Sequence, residues 1–168
     1  MIQYNPTRVD GDNHVRYTIE QGEKNRLFVI GLNPSTADMS KVDPTMRRVV
    51  GFVNHFCYDG YVMLNLYPLR ATSPKTLPCE ADFNEHLHCA NLTKIAELLK
   101  QEKNPTILAA FGNNIGKRRY LRHCWQDIIE VAKPYQPQWK CLGSLTKSGN
   151  PRHPLYIKGD TQLSDLEV

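Results

Sequence analysis

No stretch of this chain approaches the roughly 20 consecutive apolar residues of a membrane-spanning helix, so no membrane partner is expected. Met1-Ile2-Gln3-Tyr4-Asn5-Pro6 lacks the basic and apolar regions of a secretory signal, and the expected location is cytoplasmic. Cysteine is scarce: Cys57, Cys79, Cys89, Cys124 and Cys141 are an odd number with no Cys-x-x-Cys pair. That argues against a disulfide framework or zinc ribbon and for free, mostly buried thiols. Charge of one sign is not in large excess either. With 21 Lys+Arg against 17 Asp+Glu, a net charge of +4 suits an anionic partner without requiring one. Internal repeats, low-complexity tracts and linkers are missing.

What is present is an ordinary globular composition, 168 residues with 40% hydrophobic, long enough to bury a core without a metal or disulfide staple. The expected organisation is one domain over residues 1–168: an N-terminal extension (1–25), a core (26–157) and a C-terminal tail (158–168). Residues 15–19 alternate in polarity and read as a short leading strand. Leu27-Phe28-Val29-Ile30-Gly31, Tyr61-Val62-Met63-Leu64-Asn65-Leu66 and Thr106-Ile107-Leu108-Ala109-Ala110-Phe111-Gly112 are apolar runs typical of strands covered on both faces. Residues 139–142 read as a fourth strand.

Between these runs the period changes to that of helices. Asp43-Pro44 reads as an N-cap followed by proline in the first turn, and Met46, Val49, Val50, Val53 and Phe56 recur at helical spacing up to a stop at Asp59-Gly60. Phe83, Leu87, Ala90, Ile95, Leu98 and Leu99 supply the apolar face of a long helix, and a basic helix spans about residues 116–132. Strands alternating with helices predict an α/β fold, a central parallel sheet of about four strands flanked by helices on both faces. Ligands of such sheets bind beyond the carboxyl ends of the strands. Four segments occupy those ends: 31–38, 65–70, 112–117 and 150–156.

Each segment admits a chemical and a structural reading. Gly31 permits a sharp turn and Pro34 stiffens the chain, with Ser35 beside them. Asn33 is able to position a water, or the segment merely connects strand to helix. It is neither a Walker motif nor a dinucleotide fingerprint, both of which need more glycine. Asn65 both donates and accepts, as reading a base edge demands, or it pins its own loop. Pro68 stiffens the next loop, and Arg70 holds a phosphate or faces solvent. Gly112 and Asn113 precede Lys117, Arg118 and Arg119, which hold phosphates at a helix entrance or form a solvated basic face. His153, between two prolines, is placed to donate to developing negative charge or is a surface histidine. His86, His88 and Cys89 do not face one another on a helix, so no metal is expected, and no cofactor is implied.

Taken in order, Gly31-Leu32-Asn33-Pro34-Ser35, Asn65-Leu66-Tyr67-Pro68-Leu69, residues 108–117 and His153-Pro154-Leu155 resemble the strand-end motifs of the uracil-DNA glycosylase superfamily. More closely, residues 31–38, Asp43-Pro44-Thr45-Met46-Arg47-Arg48 and residues 65–72 resemble a family catalogued as domain of unknown function 1643. The glycosylase resemblance implies that Asn33 positions the attacking water, Asn65 reads the flipped base and His153 stabilises the leaving base. Asparagine at the water position is similar to the single-strand-selective and mismatch-directed branches. This chain departs from the pattern in having no aromatic between Asn33 and Asp43, Ser35 after the proline, and no serine after His153-Pro154.

The implied activity is metal-independent hydrolysis of an N-glycosidic bond to a modified or damaged base in nucleic acid. One alternative is an enzyme acting on a free nucleoside, nucleotide or small phosphorylated compound. The other is a non-catalytic nucleotide- or nucleic-acid-binding protein, for which Arg47, Arg48, Lys117, Arg118, Arg119 and Arg122 provide the charge.

Overall fold

The computed structural model of the chain describes all residues, 1–168. Seven strands form one mixed sheet: β1 (Arg8–Gly11), β2 (Arg16–Gln21), β3 (Arg26–Gly31), β4 (Gly60–Asn65), β5 (Thr106–Ala109), β6 (Gln138–Leu142) and β7 (Leu163–Asp165). Their order across the sheet is β1-β2-β4-β3-β5-β6-β7. The four strands expected from the apolar runs are the parallel centre, β4-β3-β5-β6. The expectation of about four strands is nonetheless corrected to seven. β1 and β2 extend the β4 edge and β7 extends the β6 edge, all antiparallel. These additions are short or polar on one face, so they lack the long apolar run by which a doubly covered strand is recognised.

The extension and the tail are therefore part of the sheet. Backbone pairing puts Arg8 opposite Glu20 at one margin and Leu142 opposite Leu163 at the other.

Three helices cover the sheet: α1 (Pro44–His55), α2 (Glu85–Leu99) and α3 (Tyr120–Ala132). Alternation along each central strand divides its side chains between two cores. Phe28, Ile30, Val62, Leu64, Ile107 and Ala109 pack with α2 and α3 on one face. Leu27, Val29, Tyr61, Met63 and Leu108 pack with α1 on the other. Asp43 is the N-cap of α1, its Oδ1 accepting from the Met46 N–H at 2.8 Å, and Pro44 follows in the first turn.

Several local expectations are corrected. Helix α1 stops at His55, short of Asp59-Gly60. Gly60 opens β4, where a Cβ would lie only 2.0 Å from the Gln21 carbonyl oxygen. On α2, Ala90 is exposed while His88 and Asn91 are buried, because their polar atoms find Asp127 (2.8 Å) and the Asn65 carbonyl (3.0 Å). The basic segment does not open a long helix. Gly112–Lys117 is a 3-10 turn, and α3 begins only at Tyr120. The cysteines are free, but Cys57, Cys79 and Cys89 are exposed and only Cys124 and Cys141 are buried.

Crossovers leave β3 toward β4 on one side and β5 toward β6 on the other. A crevice therefore opens beyond the carboxyl ends of the central strands, where the order reverses.

Candidate functional site

A cavity of about 300 Å³ fills this crevice, within the size range of small-molecule sites. Every one of the four strand-end segments contributes to its wall: Gly31, Asn33 and Ser35 after β3, Asn65 at the end of β4, Asn114 after β5, and His153 from the last loop. Pro34, Pro68, Gly112 and Asn113 do not line it; Gly112 and Asn113 line a neighbouring hollow with His153, and Arg70 lines another with Asp12, Asp38 and Ser35. Lys117, Arg118 and Arg119 are outside all three.

Asn33 is oriented by its amide nitrogen, which donates to the carbonyls of Ala71 (2.8 Å) and Pro34 (3.0 Å). Its Oδ1 has no protein partner and is free to accept from a ligand or water. Asn65 is buried (1% exposed). In the amide orientation that suits its neighbours, Nδ2 donates to the carbonyls of Leu64 and Asn33 at 3.3 Å each. The pinning reading of Asn65 thus has direct geometric support, while its side chain also lines the cavity. Gly31 is required here for space, since a Cβ would come within 2.9 Å of the Asn65 side-chain amide and 2.7 Å of the Met63 methyl group.

His153 precedes a short turn, Pro154–Tyr156, and its Nδ1 accepts from the Leu155 N–H at 3.3 Å. Accepting at Nδ1 leaves the proton of the neutral ring on Nε2. Burial pushes the imidazole pKa below its ordinary value, partly opposed by the negative charge of Asp43, so the neutral donor form prevails at neutral pH. The turn is tied to α1 by Arg48, whose guanidinium donates to the carbonyls of Pro154 (3.2 Å) and Ile157. Gly112 has φ +67°, and its missing side chain admits His153. Asn113 accepts from Thr146 Oγ1 (2.7 Å) and Asn150 Nδ2 (2.9 Å), anchoring the loop that carries the histidine.

Two of the basic residues proposed for phosphate have other work. Arg118 donates to the carbonyls of Lys75, Leu77 and Pro78 at 2.7–2.9 Å. Arg70 donates to those of Asp12 (2.7 Å), Ser35 (2.8 Å) and Ala37 (3.1 Å), neither facing solvent alone nor free for a phosphate. Lys117 and Arg119 are exposed.

Among the cavity residues that sequence reasoning missed, Asp43, Arg16, Phe111 and Tyr156 bear most on its chemistry. Asp43 was legible as a helix cap, but its carboxylate also lines the cavity. Arg16 lies on the leading strand that the alternation marked, but not at one of the strand ends where function was sought. Phe111 and Tyr156 supply aromatic surface, Phe111 in the wall and Tyr156 at the rim, where it is 82% exposed and 5.7 Å from the His153 ring.

Fold and cavity together define an α/β protein with a polar, partly aromatic cavity at the carboxyl edge of its sheet. The chain belongs to the family described as protein of unknown function (DUF1643), whose model matches residues 16–155. That match runs from Arg16 to Leu155, both of which line the cavity. Neither the curated proteins nor the solved structures compared with the chain give a match. No helix is long and apolar enough to cross a membrane.

Proposed function

We propose that this protein hydrolyses an N-glycosidic bond to a modified or damaged base, with a cavity and sheet similar in plan to those of the uracil-DNA glycosylases. The observation that carries the reading is that Asn33, Asn65 and His153 line one base-sized cavity, with His153 held as a neutral Nε2–H donor. Asn33 Oδ1 orients a water toward C1′ of the sugar. As the C1′–N bond breaks, its electron pair leaves with the base, and Nε2–H of His153 stabilises the charge that grows there. The carboxylate of Asp43 favours the opposite charge on the sugar, and water adds to C1′ with its proton passing to solvent or to the departed base. Asn65 holds the loop of Asn33 and presents its oxygen to the base edge.

A second reading, the same chemistry on a free nucleoside or nucleotide, is favoured by one observation. Arg118 is committed to loop carbonyls and the basic cluster lies outside the cavity, which weakens the case for a grip on nucleic-acid phosphates.

The test is single-turnover cleavage of oligonucleotides and nucleosides carrying uracil, hypoxanthine, or oxidised or hydroxymethylated pyrimidines. Removal of a donor aimed at developing charge costs about 10²- to 10³-fold, so His153→Ala is expected to slow cleavage by that factor with ligand affinity nearly intact. Inactivity of the wild type across the panel, with binding retained, would favour a non-catalytic binding protein. Undiminished cleavage by both His153→Ala and Asn33→Ala would overturn the roles assigned to them.

A further inference from the structure

Arg16 is among the most deeply buried side chains of the molecule, 2% exposed, and it lines the cavity. Its Nη1 donates to the Ala37 carbonyl at 2.7 Å, whereas its buried Nε has no partner. Nη2 makes no protein hydrogen bond and is not sealed from solvent. No carboxylate pairs with this guanidinium. The other buried arginine of the sheet, Arg26, behaves differently and contacts Glu102 at 2.8 Å and Glu20 at 3.3 Å.

A buried charge is ordinarily paired, because desolvation is costly and the mutual attraction of a partner offsets it. Around Arg16 the surroundings do the reverse. Arg70 donates to the same Ala37 carbonyl at 3.1 Å, bringing a second positive charge alongside. Asp43 has one oxygen committed to the α1 cap, and Tyr4 and Asp38 complete the facing groups, the Tyr4 hydroxyl donating to the Asp38 carbonyl at 2.5 Å. Burial, then the charge of Arg70, pulls the Arg16 pKa down to about 10, and Asp43, Tyr4 and Asp38 only partly oppose them. The guanidinium therefore stays charged at neutral pH without a carboxylate of the protein in ion-pair contact.

We propose that Arg16 is an anion-binding residue, and that the ligand of this cavity carries a terminal anionic group, a carboxylate or a phosphate monoester, which it places against the free edge of the Arg16 guanidinium. A phosphodiester within a strand is a poor occupant, because the chain must leave on both sides of a group held at so buried a residue. The two sources of the anion separate the two carriers of the base. A carboxylate attached to the base is compatible with nucleic acid, whereas a phosphate monoester on the sugar belongs to a free nucleotide. The inference rests on the cavity being the ligand site but not on the reaction proposed for it.

The experiment is calorimetric titration of the whole chain with inorganic phosphate, with uridine against its 5′-monophosphate, and with uracil against its 6-carboxylate. At least one anionic member is expected to bind at least about tenfold more tightly than its neutral counterpart, and Arg16→Met is expected to abolish that difference. Arg16→Lys, which keeps the charge but not the planar fork, is expected to retain part of it. Lys103→Ala, an exposed residue outside the cavity, serves as the control with the anion preference intact. Equal affinity for charged and neutral members in the wild type, or an anion preference that survives Arg16→Met, overturns the inference. Should Arg16→Met fail to fold, the wild-type and Arg16→Lys titrations still decide it. Cleavage without anion preference refutes this inference alone, and anion preference without cleavage refutes only the reaction.

Discussion

A side chain added to Gly112 would place its Cβ 3.0 Å from the Cβ of His153, at a backbone φ of +67° that L residues rarely adopt. The position of the histidine thus depends on the absence of atoms at a residue that is separated from it by the whole of α3 and β6. Gly112→Ala is expected to cost about 1–3 kcal/mol through backbone strain and to shift the imidazole without removing any of its groups. Urea denaturation measures the first effect. For the second, turnover lower by tenfold or more is expected, together with a changed His153 signal in the histidine NMR spectrum.

The depressed pKa of His153 has a defined consequence for acid stability. The unfolded chain binds a proton at the ordinary value near 6.5, whereas the folded chain does so only at lower pH. Between those two values the unfolded state holds more protons, so stability falls as pH is lowered through this window and is unaffected by this group above it. In His153→Gln that part of the pH dependence should vanish from thermal melts taken between pH 5 and about 7, an interval chosen around the ordinary imidazole pKa. Asp43→Asn should lower the histidine pKa further in an NMR titration, because it removes the charge that favours the imidazolium.

Asn33→Asp is expected to destabilise the loop rather than supply a better base. The amide nitrogen that it replaces donates to the Ala71 and Pro34 carbonyls, and a carboxylate oxygen there would face two acceptors. The expected cost is about 1–3 kcal/mol, read from chemical denaturation. A variant as stable as the wild type with faster turnover would show that the loop adapts and that the carboxylate serves as the base.

The three consecutive basic residues should separate by role. Arg118→Ala leaves the carbonyls of Lys75, Leu77 and Pro78 without their donor and is expected to cost about 1–3 kcal/mol of stability. Lys117→Ala and Arg119→Ala should each change stability by no more than about 0.5 kcal/mol. If those two side chains contact nucleic-acid phosphates, their joint replacement lowers the salt slope of oligonucleotide binding by about 2. An unchanged slope identifies a solvated basic face.

Much of the centre of the molecule was legible in the sequence, because burial on both faces leaves an unmistakable apolar run. β3, β4 and β5 are such runs, and the Asp43-Pro44 pair marks the start of α1 by a local hydrogen bond that needs no tertiary contact. The strand-end positions of Gly31, Asn65 and His153 followed from the same segmentation. Toward the edges less was legible. Alternation over residues 15–19 marked β2, but β1 and β7 are stabilised by pairing with strands distant in sequence, and their side chains face partly outward, so no period of their own defines them.

Tertiary structure alone decided what each polar group of the site has available for a ligand. The residue types of Arg70, Arg118 and Arg16 are identical in what they offer a phosphate. The first two fold against backbone carbonyls, while the third is buried with a partnerless nitrogen and no carboxylate in ion-pair contact. That difference depends on where the loops of residues 35–37 and 75–78 pass, which no local pattern encodes. Sequence by itself determined an α/β chain with its chemistry at the carboxyl edge of a sheet, because backbone pairing and burial impose their periods on every strand. Packing of distant loops determined which of its charges remain unanswered, because hydrogen bonding is exclusive and a donor committed to one carbonyl is lost to any ligand.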